Sequence, residues 1–227
     1  MKNKEYFQVC GISCALYGSE NPEYLLIQPV DERDLGNMDD QVKLIESMVQ
    51  EPFALVAFAV EDWNRELSPW KAPAVFGNED FGDGAEETLS FIENNLLPFI
   101  SERYGSLPVI LGGYSLAGLF ALWSAFNSSS FCAVSGVSAS VWFPGWLDYV
   151  SANECRASHV FLSLGDREEI TRNRVMATVG TCMRSMDEIL SGKGTDHVLQ
   201  WNEGNHFRDV ELRCAKAFAW CIISIRG

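Results

Sequence analysis

Residues 53–60 read FALVAFAV, eight apolar residues in a row with no polar interruption. A strand that faces water on one side alternates, whereas an unbroken run of this kind reads as a strand covered on both faces, the habit of parallel sheets flanked by helices. The segments around it keep the same pattern. From Asp39 onward Val42, Leu44, Ile45, Met48 and Val49 recur at helical spacing, and Pro52 ends that helix. Further along, the spacing predicts helices over about 86–104, 116–126, 173–190 and 207–225, and strands over 107–113, 131–138, 158–165 and 196–204. Strands alternating with such helices predict an α/β fold: a mostly parallel central sheet with helices on both faces. Residues 5–17, which alternate loosely, and 23–30 predict two opening strands joined by a turn over Gly18 to Pro22, an antiparallel start.

Length and composition bound the rest. The 227 residues suit one domain, 1–227, with a cap-like insertion over about 138–157. With 47% apolar and 21% charged residues the composition is globular, which excludes disorder and low-complexity architectures. Lys and Arg number 17 against 31 Asp and Glu, and the formal charge of −14 would repel a phosphate backbone or an anionic membrane surface. Neither nucleic acid nor a membrane is therefore expected as a partner. No apolar run approaches the ~20 residues of a membrane-spanning helix, and Glu5 and Gln8 interrupt the stretch where an export signal would need apolar continuity. Seven cysteines without a C-x-x-C pair, with Cys132, Cys214 and Cys221 among apolar neighbours, read as reduced structural thiols in a cytoplasmic protein.

In a mostly parallel sheet, chemistry gathers at the carboxyl ends of the strands. After the strand over 107–113 the chain reads Gly112, Gly113, Tyr114, Ser115, Leu116, Ala117, Gly118 and then a helix. A serine between strand and helix, with small residues on both sides, is the pattern of a nucleophile elbow, in which a tight turn lifts the hydroxyl above the sheet at a helix N-terminus. The fifth position of G-x-S-x-G is Ala117 rather than Gly, which keeps the steric requirement. Backbone N–H groups and the helix dipole there favour an oxyanion, with Leu116 N–H as first donor. Serine is also an ordinary helix N-cap, so a base has to exist for the pattern to carry chemistry.

Of the three histidines, His159 and His197 begin their strands, at the end of the sheet away from Ser115. His206 instead follows the last strand, in the loop EGNHFRD, and elimination leaves it as general base. An acid should follow a strand between Ser115 and His206 in chain order. The strand over 158–165 is followed by Asp166, Arg167, Glu168 and Glu169, which leaves three candidates open. The second oxyanion donor should come from the loop after an earlier central strand, here EDWNRELSPW, with Trp63 N–H as candidate. Arg65 in that loop either contacts an anionic or carbonyl-rich substrate or pairs with Glu66 or Glu61. Trp142, Phe143, Trp146 and Tyr149, with Trp63 and Trp70, suggest an aromatic-lined cleft, with Trp142 and Trp146 as substrate contacts.

Together GGYSLAG, EDWNRELSPW, LGDREE and EGNHF resemble the putative esterase family of α/β-hydrolases, which includes enterobactin esterases, S-formylglutathione hydrolase and the mycolyltransferases. The resemblance runs over nearly the whole chain, which lacks the long insertions of some relatives. It implies an acid three residues after the glycine that closes its strand, which selects Glu168 counted from Gly165. It also implies an oxyanion amide at Trp63 and, by analogy with siderophore esterases, a ligand-binding role for Arg65. The expected activity is cleavage of a small-molecule carboxylic ester or thioester through an acyl-serine, by Ser115, His206 and Glu168, with no metal or cofactor and with activity rising as the base loses its proton. Acyl transfer to an alcohol or thiol by the same triad, and a non-catalytic binding module on the same fold, are the alternatives.

Overall fold

A computed structural model describes residues 4–227; the first three residues of the stretch read for an export signal lie outside it. Eight strands, β1 (Glu5–Val9), β2 (Ile12–Gly18), β3 (Tyr24–Asp31), β4 (Phe53–Val60), β5 (Val109–Tyr114), β6 (Ala133–Val137), β7 (His159–Gly165) and β8 (Asp196–Asn202), form one sheet in the order β1-β2-β4-β3-β5-β6-β7-β8. From β4 to β8 every neighbouring pair is parallel, while β1 with β2 and β2 with β4 are antiparallel. The helices are α1 (Asp39–Met48), α2 (Trp63–Glu66), α3 (Ala85–Phe91), α4 (Leu97–Tyr104), α5 (Leu116–Asn127), α6 (Trp146–Ala152), α7 (Val179–Lys193) and α8 (Val210–Arg226). None of the described helices is long and apolar enough to cross a membrane.

Side-chain alternation along the strands divides the interior into two cores, one on each face of the sheet. Leu25, Ile27, Val56 and Phe58 pack with α3, α4, α5 and α7, whereas Leu26, Leu55, Ala57 and Ile110 pack with α1 and α8. All of β4 is buried, as expected of a strand covered on both faces. Helix α5 is apolar all round, and every residue from Leu116 to Phe126 is buried. A helix of that kind belongs in the interior, and it fixes the end of β5 from behind.

The chain departs from the sequence-based expectation in its opening strands and in three of its helical segments. Residues 5–17 are two strands, because Cys10 and Gly11 take positive φ values of 50° and 85° and form a two-residue hairpin turn between Val9 and Ile12. The antiparallel partner of β2 is then β4, not β3, which runs parallel to β4. The helix over 86–104 contains a π-helical turn at Ile92–Leu96. Pro98 follows it, and a wider turn accommodates a residue that has no N–H and crowds the carbonyl a turn earlier. The last two helices begin later than their periodicity suggests. Asn173 Oδ1 accepts from the Val175 and Met176 N–H groups at 3.0 and 3.2 Å and leads into a 3₁₀ turn before α7. Before α8, residues 203–209 form a loop that carries His206.

Candidate active site

Ser115 joins β5 to α5 at φ 59° and ψ −120°, a region sterically unfavourable for a side-chain-bearing residue. The turn is held by Ser115 N–H donating to Val137 O at 3.0 Å and by Ser115 O accepting from Leu119 and Ser140 N–H, each at 3.1 Å. A Cβ at Gly113 would collide with the carbonyl of Ala117, and one at Gly118 would lie 2.9 Å from Gly113 O. The small residues around the serine are thus required by how closely strand and helix approach. Leu116 is the first residue of α5, so its N–H has no acceptor within the helix.

His206 lies in the loop after β8. Its Nε2 is 3.1 Å from Ser115 Oγ and its Nδ1 2.7 Å from Glu168 Oε2. A carboxylate only accepts, so Nδ1 is the donor to Glu168 and Nε2 is left to accept from the serine hydroxyl. Several contacts hold this loop: the Tyr114 hydroxyl donates to His206 O, Gly204 N–H donates to Asp166 Oδ1 at 2.8 Å, and Arg213 Nη2 donates to Glu203 O and Asn205 O at 3.0 and 3.1 Å. Burial pushes the Tyr114 phenol up to about 12, so it stays a neutral donor. His159 pairs with Asp196 at 2.6 Å and His197 with Asp187 at 3.1 Å; neither bonds to Ser115.

Of the three acids after β7, Glu168 is the one brought to His206. Asp166 holds Gly204, and Glu169 faces Arg184 at 3.6 Å. Glu168 Oε1 accepts from Gly165 N–H at 2.7 Å, Ser138 Oγ at 2.7 Å and Arg213 Nη1 at 2.9 Å. Its side chain is 3% exposed and that of Arg213 1%. Burial, the largest single influence, pushes this carboxyl up, but the hydrogen bonds from His206, Ser138 and Gly165 together outweigh it and hold Glu168 below its ordinary value. Sequence reasoning missed Arg213, Ser138 and Tyr114. An arginine in the first turn of a helix and a serine after a strand carry no local signal, and Tyr114 occupies the variable position of the elbow motif.

Ser115 lines two clefts. One, of about 640 Å³, also takes in His206, Trp63, Trp142, Phe76 and Phe207; the other, of about 360 Å³, includes Trp63, Tyr114, Gln28 and Gln41. Trp63 opens α2, whose N-cap Asp62 accepts from Arg65 N–H at 3.0 Å. Arg65 does not line either of the serine's clefts; it lines an adjacent depression, with its guanidinium 3.1 Å from Glu87 and 3.8 Å from both Asp62 and Glu66. Trp142 lies in the segment over 138–157 and packs against Phe76 and Phe81 at ring-centroid distances of 6.2 and 6.0 Å. The expectation for Trp146 is corrected. Its side chain is wholly buried against Phe126 and Tyr149, because α6 turns that face inward, so it belongs to the core and not to a substrate surface.

A family model described as Putative esterase matches residues 21–211. No curated protein matches the chain. Among solved structures, an IroE-like serine hydrolase from Shewanella oneidensis is similar with a TM-score of 0.77 at 14% identity, over 96% of this chain and 79% of that one. The siderophore hydrolase EstA from Aspergillus nidulans is similar with a TM-score of 0.77 at 17% identity, over 100% and 96%. The enterobactin esterase FES from Shigella flexneri gives 0.70 at 14% identity, over 98% of this chain and 59% of its own. At such identities the likeness is one of fold.

Proposed function

The chain belongs to the Putative esterase family, and from that premise we propose that it cleaves carboxylic esters or thioesters of small molecules through an acyl-enzyme on Ser115. The observation that carries this is the unbroken hydrogen-bonded chain from Ser115 Oγ to His206 Nε2 at 3.1 Å and from His206 Nδ1 to Glu168 Oε2 at 2.7 Å. His206 takes the hydroxyl proton as Oγ attacks the carbonyl carbon. Glu168 fixes the tautomer that leaves Nε2 free and stabilises the imidazolium that forms. The Leu116 and Trp63 N–H groups, each at the first position of its helix, stabilise the oxyanion. His206 then returns the proton to the leaving oxygen or sulfur, the carbonyl re-forms, and water repeats the sequence on the acyl-serine.

The test is covalent. A fluorophosphonate probe should label the purified protein on Ser115, and Ser115→Ala should abolish labelling and lower p-nitrophenyl acetate turnover by about 10⁴-fold or more. Unchanged labelling in that variant, or unlabelled wild-type protein, would remove the proposed nucleophile.

A further inference from the structure

The two clefts that meet at Ser115 differ in a way that assigns the halves of a substrate, an assignment that rests on the acyl-serine mechanism. His206 lines the larger cleft and not the smaller. The proton that Nε2 takes from Ser115 has to reach the leaving oxygen, and the same nitrogen has to deprotonate the incoming water. Leaving group and water therefore occupy the cleft that His206 lines. The acyl group, which stays bonded to Oγ through the middle of the reaction, extends into the smaller one.

That smaller cleft is chemically particular. Gln28 on β3 and Gln41 on α1 line it while being only 6% and 3% exposed. Gln41 Nε2 donates to Gln28 Oε1 at 2.7 Å, and the other two ends of the pair, Gln28 Nε2 and Gln41 Oε1, have no hydrogen-bond partner among the described residues. Neither end is sealed from solvent, so both are open to a group in the cleft. Nearly buried amides gain most from an occupant that supplies the missing partners. Asp31, Asp34 and Glu211 stand along the same cleft. Asp31 is neutralised by Arg33, which donates to its two oxygens at 2.8 and 3.0 Å. Asp34 and Glu211 form no ion pair among the described residues and leave the cleft negative.

We propose that this cleft is the acyl subsite, and that the acyl group it selects carries a hydroxyl, amide or amine that completes the Gln28–Gln41 pair. An acyl group ending in a carboxylate is repelled there by Asp34 and Glu211.

The p-nitrophenyl esters of butyrate, β-hydroxybutyrate and succinate share one leaving group and one acyl backbone length, so their ratios isolate the acyl side. The expected kcat/KM is about tenfold higher for β-hydroxybutyrate than for butyrate, and about tenfold lower for the hemisuccinate. In Gln41→Leu the hydroxyl preference falls to a ratio of about one. Because Gln41 is buried, a second variant of two exposed residues, Asp34→Asn with Glu211→Gln, gives an independent reading: it should raise the hemisuccinate several-fold relative to butyrate. Fluorophosphonate labelling of Ser115 combined with flat or inverted ratios, or with no turnover of the β-hydroxy ester, overturns the acyl assignment alone. A wild-type protein that neither labels nor turns over any of the three overturns the acyl-serine mechanism beneath it.

Discussion

Arg213 shows what a single residue contributes to this site. Its guanidinium meets Glu168 and Ser138 through Nη1 and the carbonyls of Glu203 and Asn205 through Nη2, so it ties the acid to the loop that carries His206. Removing one member of a buried ion pair leaves the other charge uncompensated, at a cost of about 3–5 kcal/mol. Arg213→Met is therefore expected to lower unfolding free energy in urea by that order and to depress kcat, while Arg213→Lys, which keeps the charge but loses the planar fork, should recover only part of each. Glu168→Gln should lower kcat by ~10³–10⁴-fold by disturbing the imidazole tautomer, with Asp166→Asn and Glu169→Gln far milder; equal losses for all three would contradict the acid assignment. Ser115 and His206 are legible from local motifs, since a serine between strand and helix and a histidine between the last strand and the last helix carry positional meaning. Arg213, Ser138 and the burial of Trp146 are not legible, because each depends on which way one turn of helix or loop faces after the sheet has assembled.

The elbow is the element whose geometry the sequence states most directly. Its tolerance is narrow: any side chain at Gly113 runs into the backbone at Ala117 and Gly118. Gly113→Ala should cost about 1–3 kcal/mol through overpacking and displace the start of α5, on which the Leu116 N–H depends. Thermal denaturation would register the first effect and the rate of fluorophosphonate labelling the second. A variant with unchanged melting temperature and labelling rate would mean that the turn is looser than its contacts indicate. Other elements are legible in kind but not in detail. The hairpin at Cys10 and Gly11 is hidden because Cys is not a habitual turn residue, and without it a loosely alternating stretch reads as one strand. The π-helical turn before Pro98 is hidden because periodicity tolerates one wide turn within a long helix.

Across the whole molecule, one site is assembled from loops after β5, β7 and β8, so assembly is coupled to the protonation of the carboxylate it buries, Glu168. Glu168 contributes to that coupling because its carboxyl is held below the ordinary carboxylate value in the folded chain. The unfolded chain, with ordinary values near 4.5, takes up a proton there first as pH falls. The stabilisation is therefore complete above about pH 4.5, declines as pH falls below it, and is gone once pH has passed the folded-state value. Arg33 likewise holds Asp31 low, at about 2, but both lie at the surface, where solvent screening leaves such a pair little weight. Glu168→Gln removes the buried contribution alone. The difference in unfolding free energy between wild type and Glu168→Gln, measured by urea titration between pH 5.5 and 3, should hold near its upper value at the start of that range and shrink steadily through it. A gap that widened on acidification would mean that burial, and not the donors from His206, Ser138 and Gly165, governs this carboxyl.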